Sequence, residues 1–395
     1  MIDAADAATR STRLRDEGVR VVAMTFVDNG GITRVKTVPL ARLERVATAG
    51  VGMAEIWAIS GNDDHYAFDY MPHYNTPSGD MRLVPDLTAA RTLAAAPGWA
   101  WAPVNQYSQE LELLGICQRG ALRRAADAGA AAGLEFKATF ELECTLLTDD
   151  LQPAHTGPGY STRALLAIED FVLELAEVME AQGIDVDQLH PEYSPGQFEI
   201  SVGATDPVDA ADRLVLLRLT VRQVAAHHGF QVSYAPVVLP GAVGNGCHLH
   251  LSAWRDGENL MTGGPGPGGM RAEGASFVAG MLEALPAITA VAAPSAASYL
   301  RLQPGHWAGA YTVWGIENRE ATLRLIPGSR SVRGQAANVE LKTVDGAANP
   351  YLAVLAAIGT GLDGIARGLP LPDGTTAAPG ALSAAERERA GARRR

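Results

Sequence analysis

The segment Phe136–Leu146 constrains this chain more than any other. Phe136, Ala138, Phe140, Leu142, Cys144 and Leu146 alternate with Lys137, Thr139, Glu141, Glu143 and Thr145. Only an extended strand sends successive side chains to opposite faces, so the segment predicts a strand with one apolar and one polar face. Glu141 and Glu143 then stand side by side on the polar face, where like charges repel. A divalent cation would offset that repulsion. The alternative is a solvated face that binds nothing.

Further segments carry the same kind of chemistry. In His190–Glu199, a Pro-Gly turn can fold Glu192 and Glu199 toward one point, with Gln197 and Glu199 on one strand face; a plain polar hairpin is the alternative. In Gly244–Ser252, His248, His250 and Ser252 share a face behind glycines that permit close ligand approach. Trp314–Arg324 brings together Arg319 and Arg324, forked cations that suit phosphate unless they merely form surface ion pairs. Glu340 and Lys342 share a face before an apolar helix that opens at Asn349-Pro350. Carboxylates with histidine suit Mg²⁺ or Mn²⁺. Arginines beside such metals suit a nucleoside triphosphate. The chain has neither the G-x-x-x-x-G-K-[ST] loop nor the G-x-S-x-G elbow, which excludes P-loop and α/β-hydrolase chemistry.

The surrounding pattern predicts an α+β protein. The first hundred residues read as strand-rich: Val19–Phe26 and Arg34–Leu40 flank the turn Asp28-Asn-Gly-Gly31, and Ser78–Pro85 is another turn and short strand. The Ala-, Pro- and Trp-rich stretch 94–103 reads as a link to a second domain. Helices are predicted from about 109 to Gly129 or Gly133, and at 161–182, 206–228, 270–285 and 346–367; strands at 185–202, 230–239, 246–254, 310–326 and 338–344. Segment 263–269 is a loop and 386–395 a short charged tail. The net charge of −12 opposes the displacement of counterions from nucleic acid. Three cysteines without a C-x-x-C pair fit a reducing compartment. The polar N-terminus does not read as a signal peptide. Ala275–Leu300, broken by Glu283, Pro286 and Pro294, reads as a buried helix and turn, not a membrane span. A cytoplasmic protein with no nucleic-acid or membrane partner is expected.

Taken in order, Asp28…Gly31…Arg34-Val-Lys36, Glu141-x-Glu143, Glu192…Gly196-Gln-x-Glu199, Gly246-Cys-His248-x-His250-x-Ser252, Arg301…Pro304-Gly305, Asn318-Arg319…Arg324, Glu340 and Asn349-Pro-Tyr-Leu352 resemble the glutamine synthetase family over about residues 18–368. The resemblance implies an N-terminal β-grasp domain at 1–105 and a catalytic domain at 106–395 with a curved antiparallel sheet and flanking helices. It implies ATP and Mg²⁺ (or Mn²⁺), small-molecule acid and amine substrates, and a homo-oligomeric ring with active sites between subunits. Glu143, Glu192 and Glu199 match the ligands of one metal; Glu141, His248 and Glu340 match those of a second, among the ATP phosphates. Arg301 matches the residue that grips the α-carboxylate of glutamate, and Arg319 and Arg324 match the phosphate-stabilising arginines. Ser252, with His250 and Lys342, falls on the nucleotide side, and Gly244 on the substrate loop.

The implied reaction activates glutamate or a related acid as an acyl phosphate and couples it to an amine. Departures from the family pattern point to the amine. Trp307 stands where ammonia-using members carry an acidic residue, and Ile59-Ser-Gly-Asn-Asp-Asp64 where they carry Asp-Gly-Ser-Ser. An aromatic wall offers a cation–π surface to an alkylammonium. In this Trp307 looks like the branch that makes γ-glutamyl amides of larger amines, such as γ-glutamylpolyamine synthetases; mere packing of Trp307 is the alternative. Val243, Lys342, Gln335 and Asn338 also depart from the pattern and leave the acid open. Residues 369–395 look short beside the helical C-terminal portion of typical ammonia-using bacterial members, so a single, less firmly stacked ring is expected. Ordinary glutamine synthesis and a catalytically weak ring-forming member are the alternatives.

Overall fold

A computed structural model describes residues 2–61, 63–76, 79–383 and 385. The expected tail at 386–395 and the Ser78 end of the expected turn lie outside the described residues.

The chain opens with a helix that the strand-rich reading omits, α1 (Ala4–Asp16), capped by the Asp3 carboxylate. Its buried face is Ala7, Ser11 and Leu14, with Leu14 the single large apolar side chain, which leaves little apolar periodicity to read. A hairpin follows, β1 (Val21–Val27) and β2 (Thr33–Pro39), and then α2 (Leu43–Ala49). The Asp28 carboxylate closes the hairpin turn by accepting from the Ile32 N–H at 2.9 Å. Next come β3 (Val51–Ala54), β4 (Asp80–Pro85), β5 (Arg91–Thr92) and β6 (Trp99–Tyr107). The sheet order is β2-β1-β6-β4-β3, with β5 on β6.

The stretch 94–103 is therefore not a link. Its second half belongs to β6, which lies parallel to β1 in the middle of this sheet. Of its two tryptophans, Trp101 is buried and donates its Nε1–H to Thr25 Oγ1 at 2.7 Å.

After β6 the chain turns through Leu111, whose φ is +60°, so the helix predicted from 109 cannot start there. It starts instead as α3 (Gln118–Ala131), where the Cys117 thiol accepts from the Gly120 N–H. Then follow β7 (Glu135–Leu147), α4 (Thr162–Leu166), α5 (Glu169–Ala181), β8 (Val186–Pro191), β9 (Gln197–Val202) and α6 (Pro207–His227). The helix expected at 161–182 is thus two helices, broken where Ile168 leaves helical geometry at φ −131°. The strand expected at 185–202 is a hairpin.

The remainder is β10 (Gln231–Ser233), β11 (Cys247–Arg255), β12 (Glu258–Asn259), α7 (Ala272–Glu283), α8 (Leu285–Ala292), α9 (Ala296–Arg301), β13 (Tyr311–Ile316), β14 (Ala321–Ile326), α10 (Arg333–Ala336), β15 (Asn338–Leu341) and α11 (Pro350–Arg367). Helix α11 has a sequence-encoded frame: Asn349 caps it, Pro350 opens it and Gly368 ends it in the left-handed region. Among the described residues no single helix is long and apolar enough to cross a membrane.

The second sheet runs β13-β14-β15-β11-β7-β9-β8. Its centre, β7, β11 and β15, is antiparallel. Phe140, Leu142, Cys144 and Leu146 of β7 face a core shared with α3, α5, α6, α7 and α11. With helices on that face, the polar face of β7 is left for the site. The two sheets are tied by Arg119, whose guanidinium meets Asp212 at 2.7 Å and Asp86 at 3.0 Å, while the Tyr351 hydroxyl donates to Asp212 at 2.7 Å.

Candidate active site

Strand register assembles the site. On the polar face Glu141 lies opposite His248, Glu143 opposite Glu199, and His190 opposite Glu199. Further along, His250 lies opposite Glu340 and Arg324 opposite Glu340. Residues distant in sequence thus become lateral neighbours by backbone pairing alone.

Two clusters of ligand atoms result. In one, Glu141, His250 and Glu340 bring their ligand atoms within 4.8 Å of one another; in the other, His190, Glu192 and Glu199 do the same. His248 adjoins the first cluster, with Nδ1 at 3.3 Å from Glu340 and 3.5 Å from Glu141. It also reaches toward the second side, with Nε2 3.8 Å from Glu143. Glu143 is held in place by two donors on Oε2, Gln197 Nε2 at 2.7 Å and the Gly246 N–H at 2.9 Å.

The charges in these clusters are only partly compensated. Burial pushes Glu192 up to about 7, helped by the neighbouring Glu143 and Glu199 carboxylates. Burial also works against ionising Glu141, but His250 and then His248 overcome it and hold the carboxyl below its usual range. Glu340 is only 1% exposed; burial works against its ionisation, but Lys342 at 2.8 Å, then His248 and His250, hold its carboxyl below the usual range. His250 is likewise buried, yet Glu141 raises it to about 9.

The residues fit a divalent cation in each cluster. The donors are hard carboxylate oxygens with imidazole nitrogens. The second cluster also holds a buried histidine nitrogen with no hydrogen-bond partner, His190 Nδ1, while in the first His250 Nε2 stands 3.3 Å from Glu141 Oε1. Such an orphan is what a metal ligand looks like without its metal.

Two cavities meet at Glu141. One, of about 510 Å³, is lined by Glu143, Glu192, Glu199, Gly244, Arg301, Trp307, Arg319, Arg324 and Lys342 among others. The other, of about 340 Å³, is lined by His250, Ser252, Gln335 and Asn338 among others. The structure thus separates Lys342 from Ser252 and His250. Lys342 faces the carboxylate cavity because its Nζ is drawn onto Glu340. Arg301 also opens there, anchored by N–H donation to the carbonyls of Lys342 at 2.8 Å and Thr343 at 3.3 Å, with His248 Nε2 at 3.1 Å.

Several residues of the site escape sequence reasoning. His190 lies near the end of β8, opposite Glu199, and meets Glu192 only where the chain leaves that strand. Glu320 accepts from the Gly305 and Trp307 N–H groups at 3.3 and 2.9 Å and so shapes the loop that carries Trp307; only the tertiary fold brings 305–307 and 320 together. Gly246 is decisive for a different reason. A Cβ there would lie 2.5 Å from His248 Nε2 and 2.9 Å from both Arg301 Nη2 and Glu143 Oε1, so three functional groups converge on a bare backbone.

Comparison with known proteins follows the same lines. A family model described as the glutamine synthetase catalytic domain matches residues 115–393. The gamma-glutamylpolyamine synthetase GlnA3 of Streptomyces coelicolor is 48% identical over 396 residues, covering 98% of this chain and 84% of that protein. A glutamine synthetase of Pyrococcus furiosus is 30% identical over 359 residues, covering 89% of this chain and 76% of that protein. Among solved structures, a novel glutamine synthase homolog superposes with a TM-score of 0.82 at 34% identity, covering 89% of this chain and 84% of the other. A GmaS/ADP complex superposes with a TM-score of 0.82 at 27% identity, covering 94% and 84%.

Proposed function

This chain belongs to the glutamine synthetase family, and we propose from that premise that its site couples glutamate to an organic amine at the expense of ATP. It is a carboxylate–amine ligase that forms a C–N bond. A carboxylate resists attack by an amine because oxide is a poor leaving group. Moving the γ-phosphoryl group of ATP onto the carboxylate makes an acyl phosphate, whose phosphate leaves readily when the amine attacks.

The observation that carries this reading is the row of register-paired carboxylates, imidazoles and a guanidinium across β9, β7, β11, β15 and β14. Glu143, Glu192 and Glu199, with His190 beside them, would hold one Mg²⁺ or Mn²⁺. Glu141, Glu340 and the histidines 248 and 250 would hold another. Bound there, divalent cations supply Lewis-acid stabilisation of phosphoryl oxygens. Ser252 and His250 would face the nucleotide, and Arg301 the α-carboxylate of the acid. Arg324, braced between Glu317 at 2.5 Å and Glu340 at 3.2 Å, and the exposed Arg319 would counter charge on the moving phosphoryl group. Arg324 is oriented before the reaction, so little reorganisation is needed there as charge develops.

We also propose that copies of the chain form a ring that shares its sites between neighbours, and that it works in the cytoplasm. Family membership supports the ring, and three free, buried cysteines support the compartment.

The amine follows from Trp307 and from the similarity to a gamma-glutamylpolyamine synthetase. Phosphate release with ATP, Mg²⁺ and glutamate should be faster with 1,4-diaminobutane or longer amines than with ammonia. Fastest turnover with ammonia would overturn the larger-amine reading and leave the ligase reading intact.

A further inference from the structure

We propose that Tyr193 selects the amine, acting with Trp307 as two faces of an aromatic corner that receives the aliphatic chain of a linear diamine. The proposal rests on the ligase reading above and adds a specificity-determining residue to it.

Tyr193 directly follows Glu192 and lines the carboxylate cavity. Its ring meets Trp307 edge to face, with centroids 5.9 Å apart at 82°. On its other side it meets Tyr160 at 5.3 Å and 78°. Both rings keep exposed surface, Tyr193 at 50% and Trp307 at 44%, with the Arg319 guanidinium over the Trp307 ring at 5.8 Å. Large aromatic surface left bare at the mouth of a polar cavity is characteristic of a binding site.

The corner is built rather than incidental. Trp307 and Tyr160 have φ values of +52° and +57°, left-handed backbone that a bulky side chain seldom adopts. Such conformations persist where the surroundings impose them and concentrate at ligand sites. Glu320 imposes the first through the Trp307 N–H. Tyr193 is fixed through its own N–H, which donates to Glu192 Oε2 at 3.0 Å, and through Ser194, whose hydroxyl donates to the Val243 carbonyl at 2.9 Å. Gly159 allows the Tyr160 loop to close on it, since a Cβ there would lie 3.1 Å from Tyr193 Cα.

The chemistry of the occupant follows from what surrounds the rings. Glu192 lies at one end of the corner, beside Glu143 and Glu199 across the cavity floor. With those carboxylates given to the metal, the amine is left to the rings, whose faces favour methylenes and a cationic head. Ammonia has no methylenes to lay on the rings.

The test is steady-state kinetics of the full chain with ATP, Mg²⁺ and glutamate. Tyr193→Ala should raise KM for 1,4-diaminobutane at least tenfold more than it raises KM for glutamate or ATP, and Tyr193→Phe should restore most of the loss. Equal changes in all three KM values, or an unchanged KM for the diamine, would overturn the proposal while the wild-type enzyme still makes the amide. A wild-type enzyme that uses only ammonia overturns both this proposal and the larger-amine reading. One that uses no amine overturns the ligase reading itself.

Discussion

Glu143→Ala is expected to lower kcat/KM by about 10³-fold or more, on the scale of removing a group that stabilises transition-state charge. The side chain stands at the centre of the polar sheet face. It lies opposite Glu199, accepts from Gln197 and Gly246, and approaches His248. Alanine removes a carboxylate from the carboxylate cavity and frees the two donors that orient it. The fold should tolerate the change. A buried Gly246 N–H left without its acceptor costs about 1–3 kcal/mol, while the repulsion that Glu143 exerts on Glu192 disappears. Phosphate-release rates together with a thermal melt check both halves. A variant that keeps activity within tenfold of wild type would remove Glu143 from the site.

Gly246→Ala should cost about 10²-fold in kcat/KM, since a shift of about an ångström in positioned groups has that effect. The methyl group would press on His248, Arg301 and Glu143 together, at 2.5–2.9 Å. Its backbone is not in the left-handed region, so the damage falls on the site rather than on the fold. Gly359→Ala is the matching control. A Cβ at Gly359, within α11, meets nothing within 4 Å. That substitution should leave kcat/KM unchanged and stabilise the helix by about 0.5–1 kcal/mol. Equal kinetics for the two alanine variants would contradict the convergence of groups on Gly246.

Much of this architecture is legible in the sequence, and the reasons are specific. β7 is readable because both of its faces carry information, an apolar one for the core and a charged one for the site. Helices α6 and α11 are readable at their starts because Asp206-Pro207 and Asn349-Pro350 pair a capping side chain with a proline at the first turn. The order of motifs along the chain is what makes the family visible.

The misses are tertiary. α1 buries Ala7, Ser11 and Leu14, and one large apolar residue is too little for a periodic signal. β6 looks like a link because tryptophan, proline and alanine dominate it, and only its partners β1 and β4 make it a central strand. The ligand clusters bring in His190 and His250 beside the expected carboxylates, since register, not motif spacing, decides which side chains face one another. The same holds for Tyr193 and Trp307, far apart in sequence and in ring contact in space.

The central claim is that the acid is activated by phosphorylation before the amine attacks. It is tested most directly by the fate of oxygen. With ATP, Mg²⁺, an amine and glutamate labelled with ¹⁸O in its γ-carboxylate, the released phosphate should carry one ¹⁸O per turnover, because the carboxylate oxygen becomes the bridging oxygen of the acyl phosphate and leaves with phosphorus. Amide formed with unlabelled phosphate would contradict the account.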